Sequence, residues 1–196
     1  LDTERASSSL SSEQLNEDFE YLRDTKFFEA PQSPLKNRRI SWLYPDDGCY
    51  TRAMMMAHYF NQKENMDAKK IFAFGNLRAR TEYSHDGYVR WWYHVAVSFK
   101  VENILYVYDP SVNNKKPLTI QEWKSAISDD DDQVKFAICS PNTFGPEDDC
   151  DNPTKYPIDS LVKSQLRFLE LEWERIGDLG LNPNEILGEN PPWKNQ

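Results

Sequence analysis

Basic residues are in short supply in this sequence: 23 Lys and Arg stand against 32 Asp and Glu, a net charge of -9. Phosphate binding needs clustered cations, so the balance argues against a nucleic-acid binder and against attraction to an anionic membrane surface. Long apolar runs are missing too. Nothing approaches the roughly 20 residues a helix needs to cross a bilayer, and a soluble chain is expected. Histidine is limited to His58, His85 and His94, none spaced with Cys139 or Cys150 in a zinc pattern, so a structural metal site is not expected. Cysteine is limited to Cys49, Cys139 and Cys150, an odd number. Two readings stand for it: one reactive thiol plus a small disulfide loop from Cys139 to Cys150, or three free thiols in a reducing compartment. Spacing does not decide between them, because a bridge depends on the Cα separation. No internal repeat is present.

What the chain does have is enough apolar and aromatic residues, 39% and 13% of 196, for one good-sized core. A single domain over residues 13–180 is expected, between a Ser-rich, charged tail at 1–12 and a Pro-punctuated tail at 181–196. A first residue of Leu rather than Met reads as a processed or trimmed product, with a removed leader left open. Ser11 or Ser12 caps an expected helix through Leu15, Phe19 and Leu22, followed by a connection through Pro31 and Pro34 and a short extended segment at Ile40 to Leu43. Lys70 to Phe74 alternates as a strand that Gly75-Asn76-Leu77 ends or bends. Tyr88 to Lys100 and Ile104 to Tyr108 read as a hairpin across Glu102-Asn103. A helix at Thr119 to Ser128, a solvated acidic run at Asp129 to Asp132, a strand at Val134 to Cys139 and a loop from Ser140 to Pro157 follow. Asp159 or Ser160 then caps a last helix with an apolar stripe of Val162, Leu166, Leu169, Trp173 and Ile176, ended by Gly177 and Gly180.

The stretch from Tyr44 to Met56 carries the chemistry. Pro45 disfavours helix at Tyr44, Asp47 suits a helix start, Gly48 permits a sharp turn, and Ala53, Ala57 and Phe60 recur at helical spacing. Cys49 is therefore expected in the first turn of a helix to about Gln62, where the dipole and unpaired N–H groups favour a thiolate. In the hairpin, strict alternation puts Trp92, His94, Ala96 and Ser98 on one face and Trp91, Tyr93, Val95, Val97 and Phe99 on the other. Asp109 ends the next strand, where antiparallel pairing lets it face His94. Cys49, His94 and Asp109 are thus a nucleophile, a base and the group that orients the base. His58 reads as an ordinary residue of the cysteine helix, His85 as a turn residue, and Arg52 as a partner for Asp46, Asp47 or the acidic loop.

The motifs Tyr44-Pro45, Asp47-Gly48-Cys49-Tyr50, Arg52-Ala53, Gly75-Asn76-Leu77, Trp91, Tyr93-His94-Val95-Ala96 and Asp109-Pro110-Ser111 together resemble bacterial protein-glutaminase, a protein-glutamine deamidase family. The resemblance runs from Tyr44 to Ser111; Asp46 departs from it, standing where the family has an apolar residue. It implies an α+β fold with a transglutaminase-like, papain-like core, a catalytic Cys49 at a helix N-terminus, and an antiparallel sheet carrying His94 and Asp109. It also implies conversion of protein-bound glutamine to glutamate through a Cys49 thioester, with no cofactor. Trp42, Trp91, Trp92 and Tyr93, with Asp47 and Gly48 at the turn, are the substrate-binding candidates; clustered aromatics beside a strand are also ordinary core. The expected partner is a protein presenting an exposed glutamine, a host protein among the options, met by a secreted or host-delivered monomer. A transglutaminase or a papain-like protease shares the same triad. A binding module on the same scaffold is the non-enzyme alternative, and three intact chemical residues count against it.

Overall fold

The hairpin at the middle of the sequence is also the middle of the sheet. The computed structural model describes residues 12–26, 28–30, 33–63, 67–129 and 133–188. The elements are α1 (Ser12–Asp24), β1 (Phe28–Ala30), β2 (Ser33–Arg38), α2 (Cys49–Lys63), β3 (Lys69–Arg80), β4 (Tyr88–Val101), β5 (Ile104–Tyr108), β6 (Leu118–Thr119), α3 (Ile120–Ile127), β7 (Lys135–Cys139), α4 (Ile158–Asp178) and α5 (Pro183–Leu187). β4 and β5 pair antiparallel from Val101↔Ile104 to Val97↔Tyr108. Their two-residue turn holds Glu102 and Asn103 at φ 48° and 71°, the left-handed pair that matches strand twist.

Five antiparallel strands lie in the order β6-β5-β4-β3-β7, making the architecture α+β. Two-residue alternation divides the core between the faces of the sheet. Phe72, Val95, Val97, Phe99 and Val101 pack with α1, α2 and part of α4. Ile71, Ala73, Leu77, Ala96 and Val107 pack under α3 through Trp123 and Ile127. Thr119 starts α3 with a capping box: its hydroxyl accepts from the Glu122 N–H while the Glu122 carboxylate accepts from the Thr119 N–H.

Several expectations change here. Of the two outcomes expected at Gly75, a bend in β3 is the one that forms, and the strand is longer than expected. The strand continues to Arg80, with its register shifted between Phe74 and Leu77. Opposite that irregularity strict alternation fails on β4: Trp91 packs with the α3-side cluster and stacks on His94, three residues along, at 4.3 Å between ring centroids. No regular element forms at Ile40 to Leu43, whereas β1 and β2 form an antiparallel pair in the segment read as a connection. The helix α4 starts earlier than expected, with Pro157 at its N-cap and no side-chain cap from Asp159 or Ser160. Its buried stripe is Leu161, Gln165, Phe168, Leu169, Glu172 and Ile176, displaced around the helix because two polar residues are buried. The short α5 docks within the expected C-terminal tail, burying Leu187, whose carbonyl accepts from Arg38 at 2.6 Å. The expected N-terminal tail lies outside the described residues up to residue 11, as do Pro31, Asp130 to Asp132 and residues 189–196. No helix among the described residues is long and apolar enough to cross a membrane.

Candidate active site

Gly48 makes the turn that delivers Cys49. Its φ is +85°, a conformation only glycine adopts freely, and a Cβ there would meet the Phe168 ring at 2.9 Å. The segment before it has no ladder partners, so its main-chain groups are satisfied by buried side chains instead. Arg52 Nη1 donates to the carbonyls of Ser41, Tyr44 and Asp47, the last at 2.9 Å, rather than pairing with a carboxylate as expected. From α4, Glu172 accepts the Leu43 N–H at 2.6 Å, Gln165 donates to Ser41 Oγ at 2.7 Å, and Arg175 pairs with Asp46 at 2.7 Å. The Trp91 indole donates to the Pro45 carbonyl at 2.9 Å. Residues 41–47 are thus clamped from three directions, and Cys49 emerges as the first residue of α2.

His94 and Asp109 meet as the register requires. Val97 pairs with Tyr108, so β4 runs on past the end of β5 and Asp109 lies beside the extension. His94 Nε2 is 2.8 Å from Asp109 Oδ2. Asp109 accepts further hydrogen bonds from Ser111 Oγ and, at 2.9 Å, from Trp123 Nε1. The imidazole is fully buried, sandwiched by Trp91 and tilted against Trp123. His94 Nδ1, the ring nitrogen that Asp109 does not engage, makes no hydrogen bond, and Cys49 is the other charge partner of the ring.

The charges reinforce one another. Burial pushes the Cys49 thiol up, but the His94 ring and its charge, the Arg52 charge and the Val95 N–H together bring it below its ordinary value. Burial pushes His94 down, but the Asp109 carboxylate and the Cys49 sulfur raise it to about 9. Asp109 is pushed up by burial and drawn down further by His94, Ser111 and Trp123, so it stays ionised. The arrangement therefore favours a thiolate beside an imidazolium, backed by a carboxylate. Tyr93 is held well above the ordinary tyrosine range by burial and by the Cys49 and Asp47 charges.

Cys49 is buried except for a sliver that opens on a cleft of about 560 Å³. Asp47, Trp91, Trp92 and Tyr93 line this cleft, with Trp92 60% exposed at its edge. Trp42 and Gly48 do not. The ring of Trp42 is buried in the core with its N–H on the Arg23 carbonyl, and Gly48 serves the turn and the contact with Phe168. Gly75, Asn76 and Arg90 also line the cleft and were not singled out, although Gly75-Asn76 stood among the quoted motifs. Trp123 and Ser111 were likewise not assigned to the site; both act through Asp109. His58 and His85 are exposed and remote from this chemistry. No group of three or more His, Cys, Asp or Glu among the described residues is placed to hold a metal. Cys139 and Cys150 are bridged, and Cys49 is the free thiol.

The family model for Glutaminase matches residues 15–127, more than half of the chain. Among solved structures, the NMR structure of protein-glutaminase from Chryseobacterium proteolyticum is 26% identical, with a TM-score of 0.58 over 80% of this chain and 84% of that one. A crystal structure of protein-glutaminase is 24% identical, with a TM-score of 0.58 over 82% and 86% of the two chains. A crystal structure of pro-protein-glutaminase is 24% identical, with a TM-score of 0.58, covering 87% of this chain and 62% of that one. No curated protein matches the chain.

Proposed function

The chain belongs to the Glutaminase family, and from that premise we propose that it is a protein-glutamine deamidase with a transglutaminase-like core, in which Cys49, His94 and Asp109 are the catalytic triad. The observation that carries the residue assignment is the buried His94–Asp109 pair, 2.8 Å apart, with Cys49 as its charge partner at a helix N-terminus beside an open cleft.

The Cys49 thiolate attacks the side-chain carbonyl carbon of a protein-bound glutamine, and the carbonyl oxygen takes the negative charge. Backbone N–H groups at the start of α2, that of Cys49 among them, stabilise this oxyanion. His94, protonated at the outset, gives its proton to the departing ammonia as the C–N bond breaks, leaving a thioester on Cys49. Neutral His94 then takes a proton from water, whose oxygen attacks the thioester; glutamate leaves and the thiolate–imidazolium pair is restored. Asp109 holds the tautomer and stabilises the cation throughout. Asp47, Trp91, Trp92 and Tyr93 are placed to contact the glutamine stem or its flanks.

The Cys139–Cys150 bridge supports a site of action in an oxidising compartment, as in a secreted protein. The relative solved as a pro-protein supports the same reading. Incubation with a glutamine-rich protein should release ammonia and convert glutamine to glutamate by mass, and Cys49→Ala should abolish both. Peptide-bond cleavage or glutamine–lysine crosslinking without ammonia-coupled glutamate formation would defeat the assignment.

A further inference from the structure

Beside the cleft over Cys49 lies a second hollow of about 470 Å³, and Tyr93 forms a wall of both. Its other walls are aromatic. Phe144 stacks on Tyr156 with ring centroids 3.8 Å apart, and the edge of Tyr50 meets Phe144 at 5.0 Å. Tyr156 stands at the mouth, 39% exposed. The loop that carries Phe144 and Tyr156 is fixed in advance. The Cys139–Cys150 bridge closes its first part around Phe144, buried Lys70 donates to the Thr143 carbonyl at 2.8 Å, and Asp148 accepts the N–H groups of Phe144 and Thr154. A hollow held open by so many bonds offers its aromatic walls without first having to order them.

Its occupant follows from continuity with the reactive centre. Tyr50 is the residue after Cys49, with Cα atoms about 3.8 Å apart. A glutamine presented to Cys49 belongs to a chain that advances about 3.3 Å per residue when extended, so the hollow that shares the Tyr93 wall lies within reach of its near neighbours. We propose that this hollow is a specificity subsite that takes an aromatic or large aliphatic side chain lying within about three residues of the target glutamine. The inference rests on the deamidase reading and supplies what that reading lacks, a rule for which glutamine is chosen.

The test uses peptides of one length that carry a single glutamine and either Phe or Ala at each of the three positions on either side. Ammonia release should show about a tenfold preference in kcat/KM for Phe at one position. In Phe144→Ala and in Tyr156→Ala the Phe-to-Ala ratio should fall toward one. Because the ratio compares two peptides on one preparation, partial misfolding of a variant does not imitate the result. Binding of the same labelled peptides to Cys49→Ala, read by fluorescence anisotropy, should show the same preference without turnover. Ratios near one at every position, or a preference that survives both substitutions, overturn the subsite. A binding preference without ammonia from any peptide keeps the subsite and defeats the deamidase reading.

Discussion

At the scale of single residues the site depends on a proton held between Cys49 and His94. The thiol is drawn below its ordinary value and the imidazole is raised to about 9, so both shifts favour the ion pair. For His94 the sign is that of a group whose folded value is raised. Its stabilising proton is fully in place below the unfolded value of about 6.5 and is lost as pH rises through about 9. Iodoacetamide should therefore alkylate Cys49 at pH values well below the ordinary thiol value of about 8.5, with mass spectrometry locating the adduct. In His94→Ala the alkylation profile should move up past that value, because burial then acts without the imidazolium. Activity should decline on the alkaline side as His94 loses the proton it gives to ammonia. Coincident profiles for parent and variant would mean that His94 does not set the state of Cys49.

At the scale of elements, α4 holds the reactive turn. Its buried Gln165 holds the Ser41 hydroxyl, its Glu172 accepts the Leu43 N–H, its Phe168 closes on Gly48, and its Arg175 reaches Asp46. Gly48→Ala meets two obstacles at once, a positive φ and a Cβ 2.9 Å from the Phe168 ring. It should lower stability by about 1–3 kcal/mol and reduce kcat/KM, as measured by denaturant unfolding alongside ammonia release; parent-like stability would mean that the turn relaxes freely. The same element shows where sequence reading stops. The three residues of the proposed triad could be singled out because each carries a local signature: Cys49 after a Pro-Asp-Asp-Gly turn, His94 within an alternating strand, Asp109 before Pro110. The buried face of α4 was not, because Gln165 and Glu172 read as solvent-facing until the segment they clamp is known. Nor was the position of Trp91. Alternation alone sets it opposite His94, and only the irregularity of β3 across the sheet brings it round to stack on the ring. Trp42 looked like a slot residue for the converse reason, since its burial in the core is decided by α1 and the Arg23 carbonyl.

At the scale of the whole molecule, the central hairpin could be read from periodicity and the α+β class from the family resemblance, but the buried amine joining the sheet to the disulfide loop could not. Lys70 sits in an alternating strand, where its neighbours give no sign that its ammonium is fully covered between Met54 and the Thr143 carbonyl. Burial lowers it to about 7, while the Cys49 and Asp148 charges pull it back up. The unfolded lysine titrates near 10.4, so between about pH 7 and 10 unfolding takes up a proton that the folded chain lacks, and stability gains with rising pH from this residue. Below about pH 7 the charged, desolvated amine weighs on the fold in full. Lys70→Met keeps the length and apolar character of the side chain while removing the titration. Unfolding free energies measured from pH 6 to 9.5 should therefore diverge, the parent gaining on the variant by up to about 1.4 kcal/mol per pH unit in the middle of that window. Taking the difference between the two proteins cancels the groups they share, although Cys49 and Asp148 feel the missing charge and add a smaller slope. Parallel curves would mean that the amine reaches water in solution, and that the loop bearing Phe144 is held by the disulfide and Asp148 without it.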